Sequence, residues 1–273
     1  MDVAGSKSEF LKLDAPWRIE VLDEVTSTNE TILQAGERGA PEWTVHVARS
    51  QTNGRGRSSH TWWSPRNRGL WMSVLLRPTT NPARLGGIAL IAGVATRRAI
   101  EGIGARGVDV YWPNDLFLGP KKLGGILGEV RNTGPSPPNA RSGMTIVALG
   151  IGINIELDPA ECPPELRGRV ASLADAGVSE RDPVRIAAAI LGEFSPVYDR
   201  LLCGAAIADL LAPGPGQRGL AGIGEQVEVR VPDEHGQRVL RGRIAGVGPL
   251  GELLVDTGRS IEAFASAEVR YEE

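Results

Sequence analysis

Apolar and polar positions alternate along residues 17–25 (WRIEVLDEV), and a β-rich run follows at 44–50 (TVHVARS), which predicts two strands. Between them Thr26-Ser27-Thr28-Asn29 supplies N-cap residues for a helix from Glu30 to about Gly39. Residues 69–77 (GLWMSVLLR) are almost wholly apolar, as expected of a strand buried on both faces. Pro82 opens a predicted helix that runs through Ile103. Leu85, Ile88, Ala92, Ala99 and Ile103 fall on one face of it, with Arg97, Arg98 and Glu101 on the other. Residues 108–112 form a strand stopped by the turn Pro113-Asn114-Asp115. The chain resumes at 116–118, turns at Gly119-Pro120-Lys121-Lys122, and returns as a hairpin partner at 123–130 (LGGILGEV). A Pro/Ser/Gly loop at 132–143, read as a mobile surface connection, leads to a long buried strand at 144–155 (MTIVALGIGINI). Residues 183–202 carry Ile186, Ile190, Phe194 and Val197 at helical spacing, which predicts a core-packed helix.

The periodicity changes after residue 211. Residues 212–224 (APGPGQRGLAGIG) are the clearest break in composition and are read as a linker. Beyond it, short strands at 226–231, 239–247, 252–255 and 260–264, separated by turn residues, predict a small β-barrel. The expected organisation is a domain over residues 1–222 and a smaller one over 223–273. Residues 1–16 read as a lead-in ending at Pro16. A length of 273 residues is enough for both domains and a sizeable core. The net charge of −3 argues against a nucleic-acid partner, whose binding face usually makes the domain basic. Cys162 and Cys203 form no CxxC pair, so neither zinc nor a disulfide framework is expected. No signal peptide is visible, and the apolar stretch around 86–95 is too short for a membrane span. A soluble, cytoplasmic protein without a membrane partner is expected.

Candidate chemistry concentrates in residues 49–68, where Arg49, Arg55, Arg57, Arg66 and Arg68 occur in a stretch with no Asp or Glu from Trp43 to Ile100. Guanidinium forks interleaved with Gly54 and Gly56 suit a phosphate or carboxylate. A merely solvated basic loop would share the arginines, but adjacent Trp62 and Trp63 would cost it apolar exposure. Only four lysines occur, and two of them are adjacent at Lys121 and Lys122, a hint that a compact ammonium is wanted there. Gly54-Arg55-Gly56 and Gly150-Ile151-Gly152 lack the following helix of a dinucleotide fold, and no GxxxxGK[ST] is present. His46, His60 and His235 are too scattered for a metal cage, and no G-x-S-x-G supports hydrolase chemistry.

Four polar signals lie at predicted strand ends: Ser27-Thr28-Asn29; Gln51 with Arg55, Gly56 and Arg57; Asn114-Asp115 with Lys122; and Asn154. Taken singly they read as an N-cap, a basic loop, a tight turn and a satisfied strand-end amide. In this order, T-S-T-N, Q-x-x-G-R-G-R with a following Trp, W-P-N-D-L, K-K-L-x-G-I-L and G-x-G-x-N, the chain closely resembles the biotin–protein ligases over roughly residues 25–154. The tail is similar to that family's SH3-like C-terminal domain. The resemblance implies an α+β fold: a mixed β-sheet catalytic domain with helices packed on it, class II synthetase-like and of the biotin/lipoate ligase type, plus a small C-terminal SH3-like β-barrel.

It also implies an ATP-dependent, AMP-forming reaction. Biotin's carboxylate attacks the α-phosphate of MgATP, and a lysine of a biotin carboxyl carrier protein then attacks the biotinyl-5'-AMP. By this likeness Ser27, Thr28, Asn29 and Gln51 bind the biotin head group. Arg55 and Arg57, with Gly56 between them, hold carboxylate and α-phosphate, Lys122 contacts both, and Gly124 and Gly125 allow close approach. Trp62 covers the adenylate, Asn114 and Asn154 bind nucleotide, and Asp115 helps hold Mg²⁺. The chain departs from the family pattern at Tyr111, where Lys is usual, and at Ser58-Ser59-His60. It carries no counterpart of the repressor members' DNA-binding domain, so a ligase alone is expected; a homodimer is left open. Two other readings compete. A lipoate or octanoate enzyme of the same fold fails on its motif, since Arg97-Arg98 is followed by Ala99-Ile100-Glu101. A non-catalytic biotin-sensing regulator finds encouragement only in Tyr111.

Overall fold

The computed structural model describes residues 9–11, 15–57, 60–132, 145–215, 217–233 and 236–271. Thirteen strands and four α-helices follow in the order β1 (Glu9–Leu11), β2 (Arg18–Val25), α1 (Thr28–Glu37), β3 (Thr44–Gln51), β4 (Gly69–Leu76), α2 (Ile88–Gly102), β5 (Val108–Tyr111), β6 (Asp115–Leu118), β7 (Lys121–Asn132), β8 (Thr145–Asn154), α3 (Pro183–Leu202), α4 (Ile207–Leu211), β9 (Gln226–Asp233), β10 (Gly236–Val247), β11 (Leu253–Asp256), β12 (Ile261–Phe264) and β13 (Glu268–Tyr271). The first eight strands make one sheet in the order β1-β2-β3-β4-β8-β7-β6-β5, and the last five make a second, β12-β11-β10-β9-β13. Among the described strands β2 and β3 alone pair in parallel, and α1 supplies the crossover that a parallel pair requires.

Strand β4 is buried along its whole length because both faces of the sheet are covered. Leu70, Met72, Val74 and Leu76 enter the main core with α2 and α3, while Leu75 packs with Ile32 and Leu33 of α1 and Ile146 and Ala148 of β8. Period-two alternation thus sends Trp71, Ser73 and Leu75 to the α1 side. The small sheet buries Val227, Val229, Ile244, Leu253, Val255 and Phe264, which are continuous with the main core. The fold is α+β: a mixed sheet with packed helices, followed by a small antiparallel sheet consistent with an SH3-like unit. Among the described residues no helix is long and apolar enough to cross a membrane.

Several sequence expectations need correction. The helix predicted from Pro82 is two pieces, a 3-10 turn over Pro82–Leu85 and then α2, interrupted at Gly86-Gly87. A Cβ on Gly87 would lie 2.9 Å from Ile207, so the break lets α4 pack against it. Arg97, expected on the outer face, is only 1 % exposed. It donates from Nη1 to the Gly219 carbonyl at 2.7 Å and from Nη2 to that of Arg218. Burial lowers the pKa of its guanidinium, an effect that Glu101 opposes. The segment after residue 216 is therefore tied to α2, and Ala221 N–H donates to the Val110 carbonyl at 2.9 Å. Helix α1 begins at Thr28 rather than Glu30, and Ser27 makes no side-chain cap bond. β13 escapes prediction because its charged alternation, EVRY, reads as a solvated tail. The loop predicted at 132–143 lies almost wholly outside the described residues, as do Ser58 and Ser59.

Candidate functional site

The site is built on the α1 face of the large sheet, where the register sets four residues abreast. Asp115 pairs with Gly125, Gly125 with Gly152, and Gly152 with Trp71. One row further on, Leu127 pairs with Gly150 and Gly150 with Ser73. Glycine is required at both central positions. A Cβ at Gly150 would sit 2.4 Å from Asn29 Oδ1, and one at Gly152 would sit 2.7 Å from Trp62 Nε1. The G-x-G that failed as a dinucleotide motif is thus a floor with room for two side chains.

Above the second row lies a network of polar groups. Asn29 Oδ1 accepts from Ser73 Oγ at 2.5 Å, and its Nδ2 donates to Glu129 Oε2 at 2.6 Å and to the Leu127 carbonyl at 3.3 Å. Thr28 Oγ1 and Ser73 Oγ are 2.7 Å apart. Gln51 Oε1 accepts from Thr28 N–H at 2.8 Å, and its Nε2 donates to Ser64 Oγ at 2.8 Å, whose hydroxyl reaches the Trp62 carbonyl at 3.1 Å. Ser27, Thr28 and Asn29 are all buried here at the first turn of α1. Nearby, His46 Nδ1 lies 2.9 Å from Thr31 Oγ1. Burial, reinforced by Arg38, lowers the His46 pKa to about 4. Glu20 lies 3.6 Å from Nε2 and would favour the charged ring, but desolvation outweighs that long contact.

The first row is where cations gather. Lys122 Nζ is 2.8 Å from Asp115 Oδ1 and 5.5 Å from the centre of the Trp62 ring. Arg55 Nη2 lies 3.3 Å from Glu30 Oε2 and 3.3 Å from Glu129 Oε2. Arg55 Nε and Trp62 Nε1 are buried with no hydrogen-bond partner. A cavity of about 60 Å³ is lined by Ser27, Thr28, Asn29, Gln51, Arg55, Gly56, Trp62, Asn114, Asp115, Lys122 and Gly125, with Trp71 and the floor residues. A second, of about 570 Å³, borders it through Arg55, Gly56 and Leu127 and adds Arg57, Glu129 and Ser266. Arg57 Nη2 donates to Ser266 Oγ at 3.0 Å, joining the loop to the C-terminal sheet. Burial lowers the Arg57 pKa, and Asp115 opposes the shift.

Most of the predicted site residues therefore converge, and three fall elsewhere. Asn154 does not reach the cavity; it is 4 % exposed and its Nδ2 donates to the Ala171 carbonyl at 2.8 Å, the satisfied strand-end amide of the plainer reading. Gly124 faces away, since its Cβ would strike Ile153 at 2.4 Å. Arg57 lines the larger cavity only. Asn114 lines the smaller one, but its Nδ2 is committed to the Ile126 carbonyl at 2.6 Å. Among the described residues no three His, Cys, Asp or Glu side chains gather to hold a metal ion, and Asp115 is spent on Lys122. Tyr111 packs on Phe117 and on Tyr271 of β13, with ring centres 5.5 and 4.9 Å apart. Trp112 Nε1 donates to the Gly251 carbonyl at 2.9 Å. Tyr111 thus serves contact between the sheets. Sequence reasoning missed Ser73, Glu129, Gly150 and Gly152 as site residues; only the strand register brings them under α1.

A sequence profile of the biotin/lipoate A/B protein ligase family matches residues 21–140. The chain is 32 % identical over 248 residues to the bifunctional ligase/repressor BirA of Bacillus subtilis, covering 90 % of this chain and 72 % of that protein. The chain belongs to the biotin/lipoate A/B protein ligase family. This ligase-family chain is also 28 % identical to the biotin–[acetyl-CoA-carboxylase] ligase of Mycobacterium tuberculosis, across 98 % of its own length and 95 % of that protein's. Its fold is similar to that of the biotin protein ligase from Aquifex aeolicus solved with biotin and ATP. That match has a TM-score of 0.72 at 26 % identity, covering 93 % of this chain and 99 % of the other.

Proposed function

We propose that this chain is an ATP-dependent, AMP-forming ligase that attaches biotin to a lysine of a biotin carboxyl carrier protein through biotinyl-5'-AMP. The observation that carries the reading is the meeting of two unlike surfaces in one cavity: a closed polar network under α1, and Arg55 with Lys122 beside it. The network suits a neutral, hydrogen-bonding head group, and the cations suit the carboxylate at the far end of the same small molecule. Lipoate offers a carboxylate but no urea-like head for Thr28 and Gln51.

In the first step a carboxylate oxygen attacks the α-phosphorus, and the bond to pyrophosphate breaks. Two anions must approach, so positive charge and positioning supply most of the rate. Lys122 is a point charge held by Asp115 and can swing to the reacting oxygens. Arg55 borders both cavities and can follow the carboxylate into the adenylate, while Arg57 faces the larger cavity, to which we assign the nucleotide. Asp115 and its neighbours form no protein cage for Mg²⁺. An ion entering with ATP would take its ligands from phosphates and water, and no step here is routed through it. In the second step the carrier's lysine amine attacks the acyl carbon, AMP leaves, and the amine loses a proton.

A cavity of about 60 Å³ is far below the roughly 300 Å³ at the low end of ligand sites. Trp62, which rests on Gly152 and Gly125, must therefore shift as substrate enters, and it is placed to close over the adenylate and exclude water. We assign residues 1–222 to catalysis and 223–273 to a C-terminal domain that steadies the arginine loop through Ser266, in a cytoplasmic protein. The test is a mass shift on a purified carrier domain that requires both biotin and ATP. A shift with lipoate in place of biotin, or none with either, would overturn the assignment.

A further inference from the structure

Glu129 belongs to neither the motifs nor the smaller cavity, yet its Oε2 meets both Asn29 Nδ2 at 2.6 Å and Arg55 Nη2 at 3.3 Å. The neighbours of Asn29 Nδ2 are a carboxylate and the Leu127 carbonyl, which only accept, so the orientation of the amide is fixed. Its Oδ1 cannot donate, so the single hydroxyl proton of buried Ser73 goes to Asn29, and Thr28 supplies the proton of the 2.7 Å Thr28–Ser73 contact in preference to its longer 3.2 Å contact with Gln51 Oε1. Donors from Thr28, Ser73 and Asn29 thus run one way and end on Glu129. Both amide hydrogens of Asn29 are used in this way, which leaves a single Oδ1 lone pair for a ligand. The second acid at Arg55, Glu30, is shared with Arg131 at 3.6 Å, whereas Glu129 shares its oxygen with a neutral amide. Both acids supply charge to Arg55, and Glu30 accepts a hydrogen bond from it, but Glu129 is the one that also binds Asn29 of the head-group floor. Both acids hold Arg55 at Nη2, while its buried Nε remains without a partner for an arriving anion.

We propose that Glu129 is a positioning residue for Arg55, held by Asn29 and Ser73, so that the head-group floor sets the angle of the cation that receives the carboxylate. The inference rests on the ligase reading above. Calorimetric titration with biotin of the wild type, Glu129→Gln, Arg55→Ala and the double variant tests it. Glu129→Gln keeps the shape and an acceptor for Asn29 but removes the charge, and about tenfold weaker binding is expected. In the Arg55→Ala background the same change should have no further effect, because its target is gone. An equal loss in both backgrounds would overturn the inference, and so would tighter binding by Glu129→Gln, which would make the carboxylate a competitor of the ligand. If Glu129→Gln does not fold, Ser73→Ala with and without Arg55→Ala forms the equivalent cycle: a loss confined to the Arg55 background supports the inference, and equal losses overturn it. A wild-type protein that binds no biotin would overturn the ligase reading and this inference with it; wild-type binding with additive losses overturns the inference alone.

Discussion

At the α1 end of the cavity each amide atom of Asn29 and Gln51 has a protein partner, whereas at the loop end Arg55 Nε and Trp62 Nε1 are buried without one. The α1 end rests on strand backbone, with Gly150 leaving room for the Asn29 amide and β4 buried behind it. The loop end is carried by residues 53–57 and 60–64, which reach the C-terminal sheet through the hydrogen bond of Arg57 to Ser266. An unmet buried donor costs about 1–3 kcal/mol, so the loop end holds donors whose partners arrive with a ligand. Recognition is placed where the fold is rigid, and charge where side chains can follow the chemistry.

The contrast can be broken most directly at Lys122. Lys122→Ala should lower the rate of adenylation about 10²–10³-fold, the scale of one preorganised charge-stabilising donor, while biotin still binds. A near-normal rate in a single-turnover assay would remove Lys122 from the chemistry.

The rigidity of the α1 end should appear in its response to acid. The folded pKa of His46, about 4, lies below its ordinary value of 6.5, so folding favours the neutral ring. That stabilisation is fully present above pH 6.5 and is lost as pH falls towards 4; the shift corresponds to at most roughly 3 kcal/mol. Chemical melts of the wild type and His46→Gln between pH 7 and 4 should diverge at neutral pH and converge in acid. Parallel curves would mean that the ring carries no such linkage.

A pair of glycine substitutions sharpens the comparison further. Gly150→Ala forces its Cβ onto Asn29, which is fixed on three sides, and should cost about 2 kcal/mol of stability. Gly152→Ala needs only Trp62 to move and should cost less. Equal costs would show that the loop is as fixed as the floor. The smallest effect belongs to Arg57→Ala, which should speed release of the adenylate about tenfold with little change in melting temperature, since it removes one charge-assisted contact. Unchanged release would deny the loop its role as a cover.

Local signals in the sequence carried much of this. The apolar run of β4, the helix from Pro183 to Leu202 and the hairpin around Lys121 follow from patterns within a few residues. The motif residues Thr28, Gln51, Arg55 and Lys122 were legible as polar groups at strand ends, and the structure brings them to one cavity. What failed depended on distant partners. Arg97 looked solvent-facing because its acceptors, the carbonyls of Arg218 and Gly219, lie about 120 residues away along the chain. Asn154 sat in a motif but turns to Ala171, and Ser73 hid inside an apolar run whose register with Gly150 no periodicity reveals. A lone serine in an otherwise apolar strand was the available clue, because a fully buried hydroxyl needs a partner.

The most direct test of the account is exchange of labelled pyrophosphate into ATP by the wild-type protein, with biotin present, absent or replaced by lipoate. The account predicts exchange with biotin and almost none otherwise, because the polar floor selects the head group before the cations see the carboxylate. Exchange that ignores biotin, or that runs equally well with lipoate, would contradict it.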